Sequence, residues 1–197
     1  DALAALHRFD WRGTPIAALD AGVTTANAAR RQVDAWEHSL HRWQRRRQPM
    51  VEAVLAWLKA HCPEAPRVTV VHGDYRIGNF LYEDDRITAI LDWELAHIGN
   101  PAADLGYIRD WVGQMTSWSR FIEAYRNAGG PDIDAATLDF YTLWCGVRLY
   151  CLLLQARAGV AMGMVQDTEI TYAVAQFLPK LLHRISRELR AVLAAGA

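Results

Sequence analysis

The 197-residue sequence is 52% hydrophobic and carries 21 Lys and Arg against 22 Asp and Glu, a formal net charge of -1. That supply of apolar side chains supports a core and argues against intrinsic disorder. The near-neutral balance provides no global field that would select nucleic acid or an anionic membrane, and the length suits one domain or one large lobe of a two-lobed enzyme.

Within that balance nearly all the positive charge is arginine, since Lys59 and Lys180 are the only lysines. Cys62, Cys145 and Cys151 form neither a CxxC pair nor an even framework, so they read as reduced thiols of a cytoplasmic protein. No secretory signal opens the chain. The most apolar stretch, Tyr141 to Val165, is interrupted by Arg148, Gln155 and Arg157 and reads as a buried helix, not a bilayer span. The first residue is Asp1, and Ala2 to His7 reads as a helix already under way. The expectation is a longer reading frame with a segment upstream.

In chain order, Phe9 to Gly22 reads as a loop punctuated by Gly13, Pro15 and Gly22. Thr24 or Thr25 caps a helix predicted to run to about Arg47, with Val33, Trp36, Leu40 and Trp43 forming one buried stripe. Pro49 opens a second helix with Val51, Val54, Leu55 and Leu58 inward, ended by Pro63 and Pro66. Val68 to Val71 is short and β-branched and reads as a strand. Asn79–Tyr82 and Arg86–Leu91 read as a hairpin around Glu83, Asp84 and Asp85. Everything from Pro101 onward reads as helical, divided at Gly129-Gly130-Pro131, with long periodic stretches over Leu138–Ala158 and Ile170–Leu193. There is no internal repeat or low-complexity segment.

The chemistry concentrates in His72-Gly73-Asp74-Tyr75-Arg76-Ile77-Gly78-Asn79 and in Leu91-Asp92-Trp93-Glu94, where polar residues interrupt the β insert. A hairpin from Asn79 to Asp92 brings its own ends together. Two or three oxygen donors then surround one point with coordination positions left open, which suits Mg²⁺ carrying waters and phosphate oxygens. Asp74 sits beside that point without having to bind the metal. A free carboxylate there can accept or orient the proton of a substrate hydroxyl, and phosphoryl transfer needs positioning and charge neutralisation more than covalent help.

These segments resemble the catalytic loop and metal-binding strand of the aminoglycoside phosphotransferase and choline kinase superfamily, relatives of the protein kinases. Those enzymes carry an H-G-D-x-x-x-x-N loop followed, after a short hairpin, by a metal-binding Asp. His72, Gly73, Asp74, Asn79 and Asp92 match that pattern, and Asp104 in Gly99-Asn100-Pro101-Ala102-Ala103-Asp104 matches a further acid. The resemblance implies Asp74 as catalytic base, Asn79 and Asp92 as Mg²⁺ ligands, and Asp104 as a brace on the backbone N–H groups of the catalytic loop. It also implies Leu81 and Leu91 as the floor under the adenine of ATP. Leu-Asp-Trp-Glu-Leu-Ala and Ile-Gly-Asn-Pro-Ala-Ala-Asp-Leu look closest to the kinase-like domains fused to some acyl-CoA dehydrogenases.

Plainer readings stand beside these. His72 either serves as a zinc ligand with Asp74 or hydrogen-bonds within the loop to fix its shape, and the lack of a third soft ligand favours the loop role. Glu94 either assists the metal or pairs with an arginine. The run from Arg42 to Arg47, with Arg30 and Arg31, reads first as a solvated helix face. Its alternatives are a nucleic-acid contact or, by the resemblance, part of a site for an anionic and partly apolar acceptor. Trp111, Trp118, Trp144, Tyr107 and Tyr141 read as packing residues, some of which could line an acceptor pocket.

The resulting expectation is a mainly α fold with a small β-hairpin insert. Residues 1–197 form the C-terminal lobe of a protein-kinase-like fold, and the N-terminal lobe with its nucleotide-covering loop, Lys and Glu is absent. The expected function is ATP- and Mg²⁺-dependent phosphorylation of a hydroxyl on a small molecule, with an anionic or acyl-CoA-like acceptor as the first candidate and no nucleic-acid or membrane partner. The alternatives are an aminoglycoside or choline kinase, or a catalytically silent kinase-like module. Without the missing lobe the chain is expected to lack a complete ATP site.

Overall fold

The computed structural model describes residues 2–19, 22–84 and 86–195. Seven α-helices and four short strands follow the order α1 (Ala2–Arg8), α2 (Ala28–Trp43), α3 (Pro49–Ala60), β1 (Thr69–Val71), β2 (Phe80–Glu83), β3 (Arg86–Ile90), β4 (His97–Gly99), α4 (Ala102–Met115), α5 (Trp118–Asn127), α6 (Ala135–Ala161) and α7 (Thr168–Ala195). The fold is therefore mostly helical with two small antiparallel sheets, β1–β4 and β2–β3. Among the described residues no helix is long and apolar enough to cross a membrane. The chain divides into two compact units, Asp1–Ala29 with Pro63–Tyr141, and Arg30–Cys62 with Thr142–Ala197.

The second unit is helical. Val33 and Leu40 of α2, Val51, Val54, Leu55 and Leu58 of α3, Leu154 of α6 and Ile185 of α7 are fully buried. Pro49 stands in the first turn of α3, where its missing N–H costs nothing. Gly146 lets α6 approach α7, since a Cβ there would lie 3.0 Å from Ile185. Tyr150 Oη donates to Gln48 Oε1 at 2.7 Å, and the Cys151 thiol donates to the Trp36 carbonyl at 3.6 Å. The arginine run is a solvated face: Arg30 pairs with Asp34, Arg47 with Glu52, and Arg42 lies over the Trp43 ring.

Helix α2 departs from expectation at both ends. It starts at Ala28, because Thr24 and Asn27 spend their hydrogen bonds on each other in a preceding turn, Thr24 N–H to Asn27 Oδ1 at 2.8 Å and Asn27 N–H to Thr24 Oγ1 at 3.2 Å. It ends at Trp43, four residues before Arg47. The Phe9–Gly22 region is not all loop, since Pro15–Leu19 winds into a short 3-10 turn.

The first unit holds the β structure. Trp11, Ala28, Ala65, Val68, Val70 and Ile98 form one buried cluster. β1 pairs with β4 in the register Thr69↔Gly99, Val70↔Ile98 and Val71↔His97. The hairpin pairs Phe80↔Ile90, Leu81↔Ala89, Tyr82↔Ile87 and Glu83↔Arg86, with a bulge between Leu81 and Tyr82. Its turn holds Asp84 at a φ of 47°. Asp85 of the expected turn lies outside the described residues.

Strand β4 was not legible as a strand. Only Ile98 of its three residues is β-branched, and its extended state comes from pairing with β1. The pairing delivers the chain to α4 with Asp104 in its first turn and fully buried. Oδ1 of Asp104 accepts the Gly73 N–H at 2.8 Å, and Oδ2 accepts the His72 N–H at 2.9 Å and lies 3.1 Å from Nε2 of buried His7. Nδ1 of His7 lies 2.7 Å from the Tyr125 hydroxyl. One carboxylate thus ties α1, the segment after β1 and α4 together, with His7 linking on to α5.

Burial alone would raise the Asp104 carboxyl, but the hydrogen bond and charge of His7 and the two backbone donors outweigh it and hold it below the usual carboxylate value. A depressed value in the fold contributes stability that is present above the unfolded value near 3.9 and is lost as pH falls through the folded value. Asp104→Asn turns one acceptor into a donor facing a donor, so it is expected to cost about 3 kcal/mol near neutral pH. Urea unfolding at pH 7 and pH 3 checks this: the wild-type advantage over Asp104→Asn shrinks at the lower pH.

Candidate active site

Every residue of the expected site lies in the first unit, between His72 and Asp104. The loop leaving β1 turns at Gly73, whose φ of +85° favours glycine and whose hypothetical Cβ would lie 2.5 Å from the Leu95 carbonyl oxygen. No side chain fits there, so the glycine is required for the loop to pass.

His72 is buried, and both ring nitrogens are used. Nδ1 accepts the Asp74 N–H at 3.1 Å, which fixes the tautomer, and Nε2–H then donates to the Leu91 carbonyl at 2.9 Å. The imidazole therefore connects the loop to the end of β3, one residue before Asp92. This disposes of the zinc reading for His72. Among the described residues, moreover, no group of three or more His, Cys, Asp or Glu side chains is placed to share a metal ion. The Trp93 ring covers the imidazole with centroids 4.5 Å apart.

Asp74 is clamped on both carboxylate oxygens. Oδ1 accepts a hydrogen bond from the Tyr107 hydroxyl of α4. Oδ2 accepts from Asn79 Nδ2 at 2.7 Å and from Arg76 Nε at 3.0 Å. Partial burial pushes the Asp74 carboxyl up, but the donors Tyr107, Arg76 and Asn79 and the charge of Arg76 outweigh it and leave it below its ordinary value. Asp74 is therefore an ionised acceptor at neutral pH. Of its partners only Asn79 was expected at the site. Arg76 lies inside the motif without an expected role, and Tyr107 belongs to the aromatic set expected to pack or to line an acceptor pocket. Tyr107 lies three residues after Asp104 on α4, and that helical spacing is the signal that could have placed it near the loop.

Asn79 is buried, and its Nδ2 also donates to the Asp74 carbonyl at 2.9 Å, which leaves Oδ1 as its remaining donor atom toward a cation. Its carbonyl accepts the Leu91 N–H at 2.8 Å, closing the hairpin base and bringing the loop beside Asp92. Asp92 is exposed and holds a left-handed φ of 65°, a strained backbone for a residue other than glycine. Asn79 and Asp92 are hard oxygen donors, few in number and open to solvent on the Asp92 side, and they fit Mg²⁺. Leu81 and Leu91 fall on one face of the hairpin, opposite to Phe80 and Ile90, and are 51% and 44% exposed. Glu94 is also exposed.

A loop of this geometry on this fold has known relatives. The phosphotransferase enzyme family (APH) matches residues 1–141. Acyl-CoA dehydrogenase family member 10 of Mus musculus is 28% identical over 152 residues, covering 76% of this chain and 13% of that protein. Acyl-CoA dehydrogenase family member 11 of Gallus gallus is 33% identical over 120 residues, covering 59% of the chain and 15% of that protein. The chain thus spans a small part of these curated relatives. The crystal structure of a candidate aminoglycoside phosphotransferase from Ralstonia eutropha superposes with a TM-score of 0.78 at 21% identity, covering 95% of this chain and 62% of that one, and shows the shared fold. With most of its length matched and the loop in place, the chain belongs to the phosphotransferase enzyme family.

Proposed function

We propose that this chain is the C-terminal lobe of a kinase that transfers a phosphoryl group from Mg-ATP to a hydroxyl of a small molecule. The observation that carries the reading is the ionised Asp74 carboxylate, held by three side chains on a loop that also presents Asn79 and adjoins Asp92. Asp74 orients the acceptor hydroxyl and receives its proton. A carboxylate below the usual range is a weak base, which is sufficient where the transition state is loose and positioning supplies most of the rate. Asn79 Oδ1 and the Asp92 carboxylate would hold Mg²⁺, which when bound neutralises phosphate charge. The exposed Leu81–Leu91 face suits the adenine ring, with an N-terminal lobe covering it. His72 and Asp104 act through the loop, as positioning residues. An anionic, acyl-CoA-like acceptor is the class suggested by the names of the matched relatives.

Asp74→Asn preserves two of the three clamps and is expected to lower kcat by roughly 10²- to 10⁴-fold while leaving nucleotide affinity unchanged. Asp92→Ala is expected to abolish Mg-dependent binding of a fluorescent ATP analogue. Full turnover by Asp74→Asn would remove the base assignment. Absence of Mg-dependent nucleotide binding by the intact wild-type protein would favour the silent module.

Tyr107→Phe removes a donor to the ionised form of Asp74, so the carboxyl rises. A base must be ionised to act, and the acid limb of the kcat/KM profile is therefore expected at higher pH than in the wild type. A limb that stays in place would show that Tyr107 does not tune this carboxylate.

A further inference from the structure

The catalytic loop has a second side. Residues Tyr75 to Gly78 border a cavity of about 550 Å³ within the first unit, enclosed by α1, the β2–β3 hairpin, α4 and α5. That size falls in the range of small-molecule sites. Its walls are mostly apolar, and Tyr75, Phe80, Ile108, Trp111, Met115 and Phe121 are among the residues that line it. Among the described residues, Arg76 and Arg86 are the charged side chains that line the space. The cavity opens on the hairpin face that carries Phe80 and Tyr82, opposite the Leu81–Leu91 face, so it is distinct from the surface assigned to adenine.

We propose that this cavity binds a small organic monoanion with a broad apolar, ring-bearing body, its anionic group held by Arg76 and Arg86, and that occupancy loosens the hold of Arg76 on Asp74. The charge pattern of the described lining selects the ligand: a polycation would meet two guanidiniums, and a neutral apolar molecule would leave them unused. The coupling follows from Arg76 serving both sides. Its Nε donates to Asp74 Oδ2 at 3.0 Å while the side chain lines the cavity. A second anion competes for that single charge, and the competition is reciprocal. Binding stands independently of the kinase reading, and only the importance of Asp74 rests on it.

Two fluorescent probes of the same body separate the terms: 8-anilinonaphthalene-1-sulfonate carries the anion and N-phenyl-1-naphthylamine lacks it. Titrated into the intact protein, the sulfonate is expected to bind saturably at one site and to quench tryptophan emission, because Trp111 lines the cavity. The neutral probe is expected to bind about tenfold more weakly. Arg86→Gln should weaken the sulfonate alone. Ala124→Trp, at an exposed α5 position on the cavity wall, should weaken both probes without loss of helical circular dichroism. Asp74→Asn should tighten the sulfonate several-fold and leave the neutral probe unchanged. Equal affinity for the two probes, indifference to Ala124→Trp, or no saturable binding because another segment or a second copy fills the cavity would each overturn the site. An unchanged sulfonate affinity in Asp74→Asn would overturn the coupling. None of these readouts involves phosphoryl transfer, so a failed kinase assignment would remain distinguishable from a failed site.

Discussion

The geometry of the loop depends on one buried carboxylate. Asp104 is taken wholly out of water, which is tolerable only because its oxygens receive two backbone N–H groups and face His7. Its place in the first turn of α4 adds the favourable end of the helix dipole. The donors on the other side are the N–H groups of His72 and Gly73, two consecutive residues that β-structure would otherwise have paired. Asp104 therefore fixes the point where β1 stops being a strand and the loop begins. Gly73 makes the turn sterically possible, and His72 carries the constraint onward to Leu91 and so to the residue before Asp92.

Two aspartates in one small region consequently do different work, and their surroundings separate them. Asp104 has its charge answered by groups that cannot leave, which makes it a structural anchor. Asp74 has its charge answered by Tyr107, Asn79 and Arg76, side chains of which Arg76 is 46% exposed. A carboxylate with a partner that reaches solvent can exchange it for a substrate hydroxyl without leaving a buried charge unpaired. That asymmetry is the physical reason the proposed function places the chemistry at Asp74 and the support at Asp104.

The sequence made much of this legible because the loop is written locally. His72, Gly73, Asp74 and Asn79 lie within eight residues, and the hairpin that returns to Asp92 is marked by alternating β-formers on either side of an acidic turn. The helices were legible through their periodicity, with α3 found nearly residue for residue. What was missed lies at long range. His7 meets Asp104 across 97 residues with no local pattern to distinguish it from a packing residue, and Tyr107 meets Asp74 across 33, signalled only by its helical spacing from Asp104. Strand β4 was missed for the same reason, since its extended state is conferred by β1. Arg76 is a different failure. It stands inside the motif, and its importance shows only in three dimensions, where it pairs with Asp74 and is among the residues lining the cavity.

The bulge in the hairpin explains how so short an element serves two surfaces. Strict alternation would set Thr88 opposite Tyr82, with a polar side chain toward the cavity. The irregularity between Leu81 and Tyr82 lets the ladder skip Thr88, so Ile87 pairs with Tyr82 and lines the cavity. Before the bulge, the register that sets Phe80 against Ile90 leaves Leu81 and Leu91 together on the opposite face, next to the base of the hairpin where Asn79 meets Leu91. One extra residue in β3 thus keeps both faces apolar, one beside the metal-type donors and the other behind the catalytic loop. Asp74 and Arg76 stand at the loop between them, which is why an anion bound on one side can be felt on the other.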